Sequence, residues 1–286
     1  MIMVGAVGFT VLFFELATGG LFLRPLNLSN LVVQNAYLII LAPGSCLVLL
    51  TGRLDLSVGS VAAVVGAVVG VLMVDWGVTT VLAVPAGLLL GVAIGAFHGY
   101  LIGYLHIPMF VATLSGMLIW RGLALVVLEG DTKTPFPDSF LGLVRSGELP
   151  TVLIALGALV VVYLFLADRT IFGREVYATG GNPKTARLSG VNTKRVLLAV
   201  YTNSGFLAAL AGLLVAARLN AATPKAGNLF ELETIAAALV GGVSARGGIG
   251  RVSGALLGAL FMGILNNGMS LLAAPGQDVI KAAVFL

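Results

Sequence analysis

Residues 31–50 read LVVQNAYLIILAPGSCLVLL and contain no charged side chain. An α-helix needs about 20 consecutive apolar residues to cross the hydrocarbon core of a bilayer. This stretch has that length, so we predict a membrane-spanning helix near residues 30–50. Cys46, the single cysteine, lies inside it. Because it has no second cysteine to pair with, we predict that it is a packing residue.

The whole chain has the composition of a membrane protein. Of its 286 residues, 59% are hydrophobic and 10% are charged, whereas an ordinary soluble domain has about 25% charged residues. So few charges cannot cover the surface of a soluble protein of this size. The composition therefore excludes a soluble globular protein, a disordered chain and a nucleic-acid binder.

Further apolar stretches predict additional spans near 2–23, 57–75, 79–104, 108–128, 150–167, 196–217 and 252–272. Two shorter apolar pieces cover 232–243 and 279–286. The first is either a full span or a re-entrant half-helix, and the second is too short to cross a bilayer. We predict an all-α, polytopic membrane helix bundle of about nine or ten transmembrane segments. It forms a single domain, 1–286, whose two termini are expected to be truncated.

The basic residues predict which loops face the cytoplasm, where lysine and arginine accumulate. Six of the 16 basic residues lie in loop 168–195, namely Arg169, Arg174, Lys184, Arg187, Lys194 and Arg195. The loop from Glu129 to Pro150 is acidic and proline-rich, so we place it outside. Counting spans from these two loops puts the turns at Thr51–Gly59 and Gly241–Gly250 in the cytoplasmic half.

A weak internal repeat is also predicted. The small-residue run Ala63–Val68 follows the turn at Thr51-Gly52, and the similar run Ala255–Leu260 follows Gly241-Gly242. Gly-interrupted repeats of this kind are typical of transporters, in which the breaks lie near the transport path. The other interpretation is a chance similarity between Gly/Ala/Val-rich helices.

Several kinds of chemistry find no support in the sequence. It contains no P-loop, because Gly180–Thr185 lacks the glycine before its lysine, and it has no metal-spaced Cys/His set. His98 and His106 are predicted near a helix end, with a proton relay as the minor alternative. Glu15 and Asp55 are the only carboxylates at plausible membrane depth. We therefore predict that a nucleotide-consuming partner supplies the energy, the alternative being an ion-coupled carrier that uses these two carboxylates.

The loop at 173–191 reads GREVYATGGNPKTARLSGV. Asn182 and Pro183 are favourable N-cap and first-turn residues, and Gly190 is a favourable stop. They predict a short helix, Pro183 to Ser189, along the membrane surface with a basic face of Lys184 and Arg187. Either this helix docks into another protein, or it faces lipid headgroups.

This loop resembles the conserved cytoplasmic loop in permease subunits of bacterial ribose/xylose-type ABC sugar importers. Three further segments resemble motifs of the same family: TGRLDLSVGS at 51–60, AGNLFELETIAA at 226–237 and GGVSARGGIG at 241–250. NNGMS at 266–270 is similar to the version in xylose and multiple-sugar members. The resemblance covers residues from about 30 to 275.

The resemblance implies an assembly in the bacterial cytoplasmic (inner) membrane. Two permease copies would form the path, a tandem-domain ATPase would bind their cytoplasmic face, and a periplasmic or lipid-anchored binding protein would deliver the sugar. The chain itself would be no enzyme and would hold no cofactor, since the ATPase would use ATP and Mg²⁺. Loop 168–195 would carry the coupling helix that contacts the ATPase, through Arg174, Asn182, Lys184, Thr185, Arg187, Ser189 and Gly190.

A monosaccharide, expected to be a pentose such as D-xylose, needs hydrogen-bonding side chains along its path. The candidates are Gln34, Asn35, Asp55, Ser57, Asn203, Ser244, Asn266 and Asn267. These side chains could instead hydrogen-bond between helices, and Asp55 could cap the helix that follows it. Arg246 and Arg251 are predicted to be anchors on the cytoplasmic side. An ion-coupled secondary carrier and a non-transporting scaffold are the rival functions.

Overall fold

The computed structural model describes residues 2–145 and 149–272. The predicted apolar piece at 279–286 lies outside these residues. The described helices are α1 (Ile2–Ala17), α2 (Pro25–Leu50), α3 (Val58–Gly70), α4 (Thr80–Gly103), α5 (Met109–Val127), α6 (Asp138–Arg145), α7 (Leu149–Arg169), α8 (Ile171–Gly181), α9 (Pro183–Leu188), α10 (Thr193–Leu219), α11 (Phe230–Val240) and α12 (Val252–Leu271). One π-helical turn, Val71–Asp75, continues α3.

The all-α membrane bundle is confirmed. Seven helices are long and apolar enough to cross a membrane: α2, α3 with its π turn, α4, α5, α7, α10 and α12. Helix α1 has 16 residues and α11 has 11, so α11 is a half-helix and not the full span left open at 232–243. Within the described residues the number of full spans is therefore lower than the predicted nine or ten.

Two non-helical segments interrupt the helices inside the bundle. One joins α2 to α3 and the other joins α10 to α11, and they meet where Gly59 packs against the backbone of Gly227. From this point α3 runs toward the acidic loop, where Asp75 pairs with Lys133 at 2.8 Å. Helix α11 runs the opposite way, toward the start of α12. The predicted glycine-interrupted segments are therefore present, whereas the internal repeat itself stays a prediction.

The segments assigned to the cytoplasm gather at one end of the bundle. The backbone N–H of Gly248 donates to the carbonyl of Leu50 at 2.9 Å. A Cβ added at Gly180 would overlap the same carbonyl, and Gly52 packs against the backbone of Arg246. The basic loop and both predicted cytoplasmic turns thus form one contiguous surface.

A stripe of glycines brings α4 against α10. The stripe recurs every four residues, at Gly87, Gly91, Gly95, Gly99 and Gly103, and all five are buried. Without side chains on this face, the two backbones approach closely, as is typical of membrane helix pairs.

Replacing Gly95 by alanine should destabilise the bundle, because the new Cβ would overlap the carbonyl oxygen of Tyr201. Overpacking of this kind costs about 1–3 kcal/mol. Gly122 in α5 is the matched control, since a Cβ there meets nothing within 4 Å. Thermal unfolding can be followed by the reaction of a thiol-specific dye with the buried Cys46. Gly95→Ala should expose this thiol at a lower temperature and Gly122→Ala should not; equal melting of the two variants would contradict the packing account.

Candidate functional site

Helix α9 forms where the sequence predicts a short helix. The side-chain oxygen of Asn182 accepts hydrogen bonds from the backbone N–H groups of Lys184 and Thr185, at 3.0 and 3.1 Å. Pro183 opens the helix, and Gly190 ends it with a φ of +88°. These local caps set the two ends of the six-residue helix, and its Ala186 is buried against the protein.

The surface formed by α9 and the residues on either side of it is exposed to solvent. All the predicted contact residues are exposed, namely Arg174, Asn182, Lys184, Thr185, Arg187, Ser189 and Gly190. Arg187 also donates from Nε to the hydroxyl of Thr193 at 2.9 Å, which holds part of its guanidinium. The sequence reasoning missed Leu188, whose side chain is 90% exposed at the end of the helix. A leucine in this position, among basic and polar residues, gives the surface an apolar centre.

Helix α8 connects α9 to the membrane bundle. Gly180 lies against the last carbonyl of α2, and Thr179 is buried. The hydroxyl of Tyr177 donates to the carbonyl of Gly250 at 2.9 Å. Burial raises the pKa of Tyr177, so this hydroxyl remains a donor at neutral pH. Helix α8 thus connects α9 to the end of α2 and to the 241–251 turn.

Four of the eight predicted path residues line one polar cavity between α2, α10, α11 and α12. Its volume is about 300 Å³. It is lined by Gln34, Asn35, Tyr37, Val215, Arg218, Phe230, Glu233, Asn266, Asn267 and Ser270. All four predicted residues in it carry side-chain amides, Gln34 and Asn35 on α2 and Asn266 and Asn267 on the facing helix α12.

The asparagines differ in how many hydrogen bonds their side-chain amides already make within the protein. Asn267 exchanges two hydrogen bonds with Asn27, at 2.9 and 3.1 Å, so it mainly joins helices. Asn35 donates to the carbonyl of Leu31 and accepts from Asn266 at 3.5 Å. The side-chain oxygen of Asn266 is buried and has no hydrogen-bond partner in the described protein. Asn266 lines the cavity, so this unsatisfied oxygen makes it the leading candidate for contact with a ligand there.

The cavity also contains aromatic and charged residues that the sequence reasoning missed. The rings of Tyr37 and Phe230 stack with their centroids 3.9 Å apart. Tyr37 donates its hydroxyl to the carboxylate of Glu233, and Arg218 donates to the carbonyl of Gln34 at 3.1 Å. Arg218 and Glu233 could have been found from the sequence. They lie at the edges of apolar runs, and charged residues in such positions usually face a cavity or the bundle interior.

Asp55 and Ser57 lie elsewhere, in a buried network between α3, α4 and α10. One oxygen of Asp55 accepts from the Ser57 hydroxyl at 2.6 Å, and the other accepts from Ser204 at 2.7 Å. Ser57 also contacts Nδ1 of His98 at 3.1 Å, and Trp120 donates to the other ring nitrogen at 3.3 Å. His98 therefore joins helices at a buried site and is not interfacial.

The prediction that Asp55 caps α3 is wrong about which residue is the cap. Ser57 occupies the N-cap position of α3, and Asp55 accepts from the backbone N–H of that residue at 3.0 Å. The carboxylate thus orders the turn before the helix and does not cap its first N–H groups.

The two remaining predicted path residues also lie outside the cavity. Asn203 accepts a hydrogen bond from the Tyr163 hydroxyl, between α7 and α10. Ser244 lies in the 241–251 turn and accepts from the N–H of Arg246 at 3.2 Å. Glu15, the alternative relay, accepts from the backbone N–H of Leu23 at 2.9 Å. Among residues 2–145 and 149–272, no group of three His, Cys, Asp or Glu side chains is placed to hold a metal ion.

Comparison with known proteins agrees with this architecture. Residues 27–286 match the family described as "Branched-chain amino acid transport system / permease component". The chain is 34% identical over 350 residues to the xylose transport system permease protein XylH of Escherichia coli K12, covering 100% of this chain and 89% of that protein. It is 40% identical over 268 residues to the ribose import permease protein RbsC of the same strain, covering 91% and 83%. The RbsC of Bacillus subtilis 168 is 40% identical over 272 residues, covering 93% and 84%. No solved structure matches the chain.

The family match covers most of the chain, and the relatives are similar over nearly their whole length. The seven spanning helices place the protein in the bacterial inner membrane as a multi-pass subunit. A permease of this kind is not itself catalytic. The chain therefore belongs to the permease family of ribose- and xylose-type ABC importers.

Proposed function

We propose that this chain moves a pentose, such as D-xylose or D-ribose, into the cytoplasm by alternating access, as one of two permease copies in an importer. The names of the relatives support a pentose. The polar cavity supports a neutral, hydroxylated substrate, because amides and a tyrosine can each donate and accept hydrogen bonds. Its stacked aromatic pair offers an apolar surface to a sugar ring.

The observation that carries the proposal is the exposed helix α9. A capped helix that presents Leu188, with 90% of its side chain exposed, beside Lys184 and Arg187 has the features of a protein-docking surface. We assign the ATPase subunit to this surface. ATP and Mg²⁺ would be bound by that subunit, and a periplasmic or lipid-anchored binding protein would deliver the sugar on the opposite side.

The path of coupling follows from the contacts of α8. A shift of α9 moves Gly180 against the end of α2, and α2 also carries Asn35 and Tyr37 in the wall of the cavity. Helix α2 runs from these cavity residues to its cytoplasmic end at Leu50, with Pro43 between them. ATP-driven movement at the cytoplasmic end thereby changes the shape of the sugar cavity.

Site-directed labelling tests whether the cavity binds sugar. Ser270 lines the cavity and is exposed, and the native Cys46 is buried. A maleimide should therefore label the Ser270→Cys variant cleanly. D-Xylose or D-ribose should slow this labelling in the complex with its ATPase. Ser253→Cys, at the other end of α12, is the control and should label at the same rate with and without sugar. Labelling of Ser270→Cys that no pentose slows would contradict the assignment.

A further inference from the structure

Helix α11 begins without a local cap. The segment before it, residues 220–229, consists of turns and an isolated bridge, and within it Gly227 packs against Gly59. The N-cap of α11 is Leu229, which has a φ of +65° and no side-chain hydrogen bond to the helix. Unlike the start of α9, the start of α11 is therefore fixed by contacts with distant parts of the chain.

Arg121 in α5 supplies three such contacts. Its Nη1 donates to the carbonyl of Ala226 and, at 3.4 Å, to that of Pro224. Its Nη2 donates to the carbonyl of Gly227 at 3.1 Å. A planar guanidinium can join several carbonyls at once because its donors have a fixed fork geometry, whereas an ammonium group is a single point donor. Arg121 thus holds the chain just ahead of α11.

The first turn of α11 lies between Arg121 and the polar cavity. Glu231 lines a groove of about 430 Å³ that Arg121 also lines. Phe230 and Glu233, on the same turn, line the polar cavity. There Phe230 stacks on Tyr37, with ring centroids 3.9 Å apart, and Glu233 accepts the Tyr37 hydroxyl. This one turn therefore connects the side that Arg121 holds with the wall of the cavity.

We propose that Arg121 is a positioning residue for sugar binding, which sets the place of Phe230 and Glu233 in the cavity wall. Arg121 lines the groove and not the polar cavity, so it acts on the sugar through α11. A binding site depends on neighbouring residues that hold its contact groups in one geometry. The inference rests on the proposed function, in which the polar cavity binds the sugar.

The first test measures sugar binding in the complex of the permease with its ATPase. In the Ser270→Cys background, the readout is the concentration of D-xylose or D-ribose that halves maleimide labelling. Arg121→Met removes the donors from a side chain of similar reach, and this concentration should rise roughly tenfold, while full protection is still reached at high sugar. Arg121→Lys keeps the charge and some donors, so the rise should be only about threefold.

Thr134→Val is the matched control. The Thr134 hydroxyl donates to the carbonyl of Asn220 at 2.8 Å, so it contacts the same 220–229 segment at the end away from α11. Valine has a similar shape and cannot donate. The half-protecting sugar concentration of this variant should equal that of the parent.

The second test needs no sugar. Deuterium exchange of the backbone N–H groups at 229–233 is followed in the same detergent-solubilised complexes, because exchange reports local opening. Arg121→Met should exchange at least about tenfold faster there, with α10 unchanged, and Thr134→Val should exchange at the parent's rate. A general loss of stability would instead speed exchange in α10 as well. If Arg121→Met does not yield folded protein, Arg121→Lys undergoes both tests.

Parental exchange at 229–233 in the Arg121 variants would overturn the proposal. Faster exchange with an unchanged half-protecting concentration would also overturn it, because α11 would then move without affecting the sugar. If no pentose protects Ser270→Cys in the parent, the proposed function fails. Faster exchange confined to 229–233 would in that case still support the hold of Arg121 on α11, so the two failures are distinguishable.

Discussion

Replacing Leu188 by aspartate should abolish sugar uptake without unfolding the protein. The side chain is 90% exposed in the isolated chain, so the change costs the bundle little. In the complex, burial of a leucine contributes about 1.5–3 kcal/mol, which is roughly 10- to 100-fold in Kd. The new carboxylate adds the cost of removing a charge from water. Co-purification of the ATPase and ATP-dependent uptake should both be lost, while the melting temperature stays that of the parent.

Leu105→Asp is the matched control for this prediction. Leu105 is 54% exposed in the turn between α4 and α5, at the same end of the bundle as α9. The identical change there should leave ATPase binding intact. Retention of the ATPase by Leu188→Asp, or equal loss in the two variants, would contradict docking through α9.

Replacing Asn266 by leucine should raise the KM for sugar by roughly tenfold, since a hydrogen bond lost at a buried polar site costs about 1–3 kcal/mol. The Asn266 side-chain oxygen lacks a protein partner and lines the cavity, so the substrate is its expected donor. Leucine has a similar volume and leaves the packing of α12 largely unchanged. Transport kinetics in membrane vesicles give the KM directly.

Asn203 provides the comparison for the cavity. The sequence makes both asparagines candidates for the path, but the structure places Asn203 against Tyr163 and outside the cavity. Asn203→Leu should therefore leave KM unchanged, whatever its effect on stability. A larger change of KM in Asn203→Leu than in Asn266→Leu would contradict this cavity as the sugar site. It would indicate instead that the sugar passes on the α7 side of α10.

The parts of this protein that depend on local sequence could be predicted well. Long apolar runs identify the spans because the bilayer sets their length. The caps of α9, Asn182 and Gly190, identify that helix because a cap acts within a few residues. Both predictions need no knowledge of how the helices pack.

The site depends on contacts between distant residues, and these could not be predicted from one sequence. Asn35 and Asn266 meet across 231 positions, and Asp55 and Ser204 meet across 149. Nothing local distinguishes the asparagine that faces the cavity from Asn203, which faces α7. The length of α11 could not be predicted, because it depends on where the turns before the helix end.

We propose that the energy for transport enters through a separate ATPase docked at α9. The direct test is pentose uptake into proteoliposomes that contain the permease, its ATPase and its binding protein. We predict that uptake requires ATP on the ATPase side and is unchanged when proton and sodium gradients are dissipated. Uptake by the permease alone, driven by an imposed ion gradient without ATP, would contradict the account and identify the protein as an ion-coupled carrier.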